Sequence, residues 1–121
     1  MRVLFVTTLL VALILPSGHA SGSSPIDISA EELQPVQTQA AKGGAKAQHA
    51  LGALYAFGRG VRQDYAKARG WYEKAAAQGN AMAQYNLGSL YALGQGVPQD
   101  NVRAYMWFNL AADNRNRVAS L

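Results

Sequence analysis

Catalysis needs nucleophiles, proton carriers or metal ligands, and this sequence holds few of them. It has no cysteine and two histidines, His19 and His49. Cysteine nucleophiles, thiolate metal sites and disulfides are thereby excluded. His19 lies in a leader-like segment expected to be removed, which leaves one imidazole; a Ser-His-Asp arrangement would have to run through His49, and no nucleophile-elbow sequence accompanies it. One imidazole and scattered carboxylates show no metal-ligand spacing. Asp64 and Asp100 look like a paired acid and base, but they hold the same place in two similar segments, which makes both helix caps. Gly58-Arg59-Gly60 and Gly94-Gln95-Gly96 look like phosphate loops, yet no strand precedes them and no GK[ST] follows. The Trp and Tyr residues fall on apolar helical faces, which favours core packing over base stacking. No catalytic, cofactor-binding or metal-ligating residue is expected, and the reading is non-enzymatic.

The similar segments are residues 45–77 and 81–113, offset by 36 residues, with 17 identities in 33 aligned positions. A period of that size points to a solenoid of stacked units with no single globular centre. It turns the functional reading toward binding. The chain is 121 residues long, room for one domain at most. Lys and Arg number 11 against 7 Asp and Glu, a net charge of +4. The basic residues are spread along the chain, whereas nucleic-acid binders concentrate them on one face. Nucleic acid is therefore not the expected partner.

The first twenty residues stand apart from the repeats. Met1-Arg2 is a short basic end, and Val3 to Leu15 is an apolar run broken by Thr7 and Thr8. Gly18 and Ala20 then sit at the −3 and −1 positions of a cut after Ala20. This pattern predicts a secretory signal peptide over 1–20 and an exported chain, periplasmic or secreted. The run is too short for a spanning helix, which needs about 20 residues, so no stable membrane anchor is expected after cleavage. Residues 21–30 open with Ser21-Gly22-Ser23-Ser24-Pro25, a flexible linker by composition.

Each repeat carries two helical patterns. Ala47, Leu51, Leu54 and Tyr55 are spaced i, i+4, i+7, i+8, one face of a helix. Ala83, Leu87, Leu90 and Tyr91 repeat them. This first helix of the unit, helix A, is predicted over 45–57 and 81–93. Gly58 and Gly94 suit the left-handed residue that closes a helix. Asp64 and Asp100 suit the N-cap of the next, helix B. Helix B carries Ala68, Trp71, Tyr72, Ala75 and Ala76, matched by Ala104, Trp107, Phe108, Ala111 and Ala112. Gln78-Gly79-Asn80 then breaks the helix, and Asn80 can cap the next helix A. Gly52 and Gly88 lie inside helix A at a cost of up to about 1 kcal/mol each. A cost borne in both copies implies close helix approach, with Trp71 or Trp107 expected to fill the space. Residues 31–44 read as an unpaired helix B capped by Ser29. The expected order is B, A, B, A, B: two full repeats and a preceding half repeat.

Two copies of A-x-A-Q-x-x-L-G-x-x-Y-x-x-G-x-G-V-x-Q-D, each followed by Ala-x-x-Trp-aromatic-x-x-Ala-Ala, resemble the Sel-1-like repeat family over about residues 36–113. The resemblance implies an all-α, right-handed α/α solenoid related to tetratricopeptide repeats, with a repeat domain over 31–113. It implies protein–protein interaction, a bacterial source and no cofactor. Cysteine-rich members of the family are a poor guide, since this chain lacks their disulfides. Residues 114–121 are expected to begin a further helix, the start of a truncated C-terminal cap, because Leu-Gly-x-x-Tyr does not recur there. Solenoids usually need three or more repeats, so either the chain is part of a longer protein or its open end docks on a partner or on itself.

Positions that differ between the copies are free of duty to the shared fold. On helix A they include residues 49, 53 and 57, spaced i, i+4, i+8 as one stripe. The resemblance places that face on the concave groove. Lys46, His49, Phe57, Tyr85, Ser89 and Leu93 are therefore the expected surface for a protein or extended peptide. The alternative is an accessory subunit that positions or stabilises a cell-envelope enzyme through the open C-terminal end.

Overall fold

The computed structural model describes residues 28–120. The proposed signal peptide, and all of the linker except Ile28 to Ala30, lie outside the described residues. Five helices follow one another: α1 (Ala30–Ala41), α2 (Ala45–Phe57), α3 (Tyr65–Ala77), α4 (Ala81–Leu93) and α5 (Asn101–Ala119). Each packs on its neighbours in sequence. The chain is an all-α solenoid in the order B, A, B, A, B.

Local signals set the helix ends. Ser29 starts α1 with a reciprocal box: its hydroxyl accepts from the Glu32 amide at 3.3 Å, and its own amide donates to the Glu32 carboxylate at 3.1 Å. The Ser29 amide and hydroxyl both donate to the Glu32 carboxylate and hold it below its ordinary value. Asp64 and Asp100 accept from the amides of Lys67 and Arg103, both at 3.0 Å. Asn80 accepts from the Ala83 amide at 2.8 Å. Gly58 and Gly94 both close their helices at φ +68°. The glutamine of each Val-x-Gln-Asp stretch then finishes the job. Gln63 and Gln99 donate to the free carbonyls of Ala56 and Ala92 at 2.8 and 2.9 Å, carbonyls that a helix end cannot satisfy internally.

A second glutamine joins one unit to the next. Gln48 and Gln84 are buried. Gln48 donates to the Ala40 carbonyl at 3.2 Å, and Gln84 to the Ala76 carbonyl at 3.1 Å. Each in turn accepts at 2.9 Å, from Gln78 and from Asn114. A buried amide needs such partners to avoid an uncompensated desolvation cost of about 1–3 kcal/mol. The same bond on α1 and on α3 shows that α1 is the second helix of a preceding half unit.

Three expectations are corrected. The side chains above the helix A glycines are Tyr72 and Phe108, not the tryptophans. A Cβ on Gly52 would lie 2.7 Å from two ring carbons of Tyr72, and one on Gly88 would lie 2.8 Å from Phe108. Trp71 packs instead on the cluster of Leu33, Ala40 and Leu51, and Trp107 on the cluster around Leu87, both half-buried. Residues 114–119 do not begin a new helix; they continue α5. The turn after α3 uses Gly79 at φ +89°. Arg115 stands at the equivalent position, where a side chain disfavours that conformation, so the helix runs on. Finally, Ala30 belongs to α1 rather than to a linker, and Ile28 packs against Gly60 and the first cluster.

Candidate interaction surface

Helix A places Lys46, His49, Ala53 and Phe57 on one side of α2, and Met82, Tyr85, Ser89 and Leu93 on the same side of α4. The ends of this stripe are open. Lys46 is exposed. Phe57 and Leu93 are 69% and 67% exposed. They are equivalent residues, each the last of its helix before the left-handed glycine. Both copies thus present a large apolar side chain that the fold leaves in water. The middle of the stripe is more closed. Ser89 is half-buried and its hydroxyl donates to the Tyr85 carbonyl at 3.2 Å.

His49 lies between the two A helices. Its ring rests on Tyr72 with centroids 5.8 Å apart, and its Nε2 meets the Asn86 amide nitrogen at 2.9 Å. With the amide as donor, Nε2 accepts, so the imidazole is neutral. Burial lowers the His49 pKa and pushes the Tyr72 hydroxyl up to about 12, against an opposing hydrogen bond from Asn86. The sign for stability follows from linkage. The unfolded chain takes up the His49 proton more readily than the folded one. The stability from neutral His49 is whole above the ordinary value of 6.5 and drains as pH falls through the lower folded value. Melting temperature is expected to drop between about pH 7.5 and pH 5. His49→Tyr, which copies Tyr85, is expected to flatten that dependence. A melting curve whose pH response is the same with and without His49 would refute the assignment.

The sequence reading named the open end as a docking surface but assigned no residues to that surface; the structure supplies them. The surface lies on the free side of α4 and α5, around Met82, Tyr85, Tyr105, Phe108, Ala112 and Arg115. Tyr85 and Phe108 pack with ring centroids 5.2 Å apart. Tyr85 is 55% and Tyr105 68% exposed. The signal was available by comparing the copies. Met82 replaces Lys46, Tyr85 replaces His49, Tyr105 replaces Arg69 and Phe108 replaces Tyr72. In the first repeat α4 covers this side, and Tyr72 and Ala76 are buried. In the second repeat no described residue covers it. This uncovered face is more apolar than its covered counterpart in the first repeat, where Lys46, His49, Arg69 and Tyr72 stand at the equivalent positions.

No group of three His, Cys, Asp or Glu residues is placed to hold a metal ion among the described residues. Paired surface charges are few: Arg69 with Glu73 at 3.5 Å and Arg103 with Asp100 at 3.6 Å.

Stacked helical hairpins with a stapling glutamine and a Gly-x-Gly turn define a class, the α/α repeat solenoids. The chain belongs to the Sel1 repeat family, whose repeat matches residues 45–80 and 81–116. Sel1 repeats generally mediate protein–protein interaction and are generally non-catalytic. An ERAD-associated E3 ubiquitin-protein ligase component, HRD3B of Arabidopsis thaliana, is 48% identical over 46 residues, which is 37% of this chain and 8% of that protein. The crystal structure of a Sel1 repeat protein from Oxalobacter formigenes matches with TM-score 0.66 at 43% identity, over 67% of this chain and 62% of that one. A protective antigen present in uropathogenic Escherichia coli strains, displaying an SLR fold, matches with TM-score 0.64 at 45% identity. That match covers 64% of this chain and 17% of the antigen. The chain therefore spans less than two thirds of each of these relatives.

Proposed function

We propose that this protein is a non-enzymatic binding module that holds an extended segment of another protein along its A helices. The observation that carries the reading is the pair Phe57 and Leu93. Equivalent positions in two copies keep a large apolar side chain, and the fold does not bury either one. Exposed apolar groups that recur at one register position make a row of shallow anchors, and a few such side chains carry most of the energy of an interface. Lys46 supplies a cation at the other end of the stripe, which favours a partner segment with an acidic group beside its apolar residues. Tyr85 and Ser89 flank the row. His49 is committed to Asn86 and Tyr72, and it fixes the spacing of the two A helices. The leader-like first twenty residues support export, so the partner is expected in the envelope or outside the cell.

The test is a selection of peptides from a displayed library, followed by anisotropy titration of the winners. Phe57→Ser with Leu93→Ser is expected to weaken binding at least tenfold, the effect of losing about 1.4 kcal/mol. Both positions are exposed, so unfolding free energy should move by no more than about 0.5 kcal/mol. Undiminished affinity in the double variant would move the binding surface elsewhere.

A further inference from the structure

We propose that the uncovered side of α4 and α5 is a two-fold dimer interface, occupied by the same side of a second copy of this chain. Tyr105, Phe108, Ala112 and Arg115 are spaced i, i+3, i+7, i+10 along α5. That is the repeat of a helix–helix seam, running about 15 Å at the rise of an α-helix. Met82 and Tyr85 on α4 stand beside it.

The seam is complementary to itself. A two-fold contact requires that residue i meet residue j and that j meet i. Two antiparallel copies of α5 that cross at the level of Leu110 satisfy this. Phe108 then faces Ala112 of the second copy, large against small. Tyr105 faces Arg115 of the second copy, ring against guanidinium, a pairing that attracts. Each of these matches occurs twice in the dimer. Arg115 has no ion-pair partner among the described residues, so its charge is available. The seam holds no carboxylate.

Another Sel1 helix is a poorer occupant of this face. In the first repeat, the arriving helix α4 sets Asn86 against His49 and the Tyr72 hydroxyl. Tyr85 and Phe108 stand at those positions in the second repeat, and Phe108 has no hydroxyl. The turn that would bring such a helix in also lacks its glycine, since Arg115 replaces Gly79. The imidazole and the buried hydroxyl that receive a next unit in the first repeat are gone, and the rings of Tyr85 and Phe108 stand in their place.

The proposal does not rest on the groove along Phe57 and Leu93: apart from Tyr85, which borders both surfaces, it uses different residues. Its test is sedimentation equilibrium on the full-length gene product purified from an expressing host, at concentrations up to about 200 µM, where even weak dimers with Kd in the micromolar range populate. The expected result is a monomer–dimer equilibrium. Tyr105→Arg, which sets cation against cation, is expected to weaken it at least tenfold. Tyr105→Arg combined with Arg115→Glu is expected to restore it, because opposite charges again face each other. All of these positions are exposed, and equal melting curves check that each variant is folded. A chain that stays monomeric throughout overturns the proposal. So does a dimer indifferent to Tyr105→Arg, or a double variant that does not recover. A different protein bound to this face in preference to the second copy overturns it too.

Discussion

Leu87→Ala is expected to lower the unfolding free energy by about 3–4 kcal/mol, within the range for emptying a buried leucine site. Leu87 is 0% exposed and sits in the larger cluster with Tyr72, Ala76, Ala83 and Leu90. That cluster joins α3, α4 and α5, so the lost contacts are those between units as well as within one. Single domains have only about 5–15 kcal/mol in total, and a short solenoid lies toward the lower end. The variant is expected to unfold at a clearly lower urea concentration, as followed by far-ultraviolet circular dichroism. A loss under about 1 kcal/mol would mean that the units do not depend on this shared core.

Gly52→Val should be nearly as damaging, at about 3 kcal/mol, the upper part of the usual overpacking range. A helix interior ordinarily gains from losing a glycine, since glycine there costs about 1 kcal/mol relative to alanine. Here the gain is overridden. The new Cβ would lie 2.7 Å from the Tyr72 ring and 3.2 Å from the Ala68 carbonyl oxygen. Tyr72 is 2% exposed and has no room to retreat. Gly88→Val provides the control. Its Cβ meets the Phe108 ring at 2.8 Å and the Ala104 carbonyl oxygen at 3.1 Å; the carbonyl contact matches the one at Gly52, but Phe108 is half-buried at the free side and can swing. The loss at Gly88 is expected to be smaller by at least about 1 kcal/mol. Equal losses at the two sites, or a gain at Gly52, would refute the clamped-ring account.

Much of the fold was legible because its signals are local. The bounds of α2 and α4, the caps at Ser29, Asp64, Asn80 and Asp100, and the left-handed ends at Gly58 and Gly94 all follow from nearest-neighbour chemistry. The misassigned ring is a different matter. Trp71 and Tyr72 are adjacent and both fall within the apolar arc, so spacing alone cannot say which one crosses over Gly52. The crossing geometry of α2 and α3 decides it. The role of Gln48 and Gln84 was hidden for a similar reason. A polar residue in an apolar pattern reads as exposed until the carbonyl of the preceding helix is known to lie beneath it. The run of α5 past residue 113 was readable in principle from Arg115 against Gly79. The end surface was readable too, since four of its five substitutions run toward apolar character and the fifth puts Arg115 in place of Gly79. The proposed groove residues come from the same comparison, but which of them a neighbour already occupies, as Asn86 occupies His49, is a tertiary fact.

Arg115 also works as punctuation. A repeat array grows by tandem duplication, and each new unit needs a hinge to fold back on the last one. Here the hinge depends on a single residue type, and the second unit carries arginine where the first carries glycine. A unit joined behind that arginine would be carried outward along the helix axis and would not fold back to stack. Arg115→Gly is a small genetic step, so at this position a single codon separates a fold-back from a continuous helix.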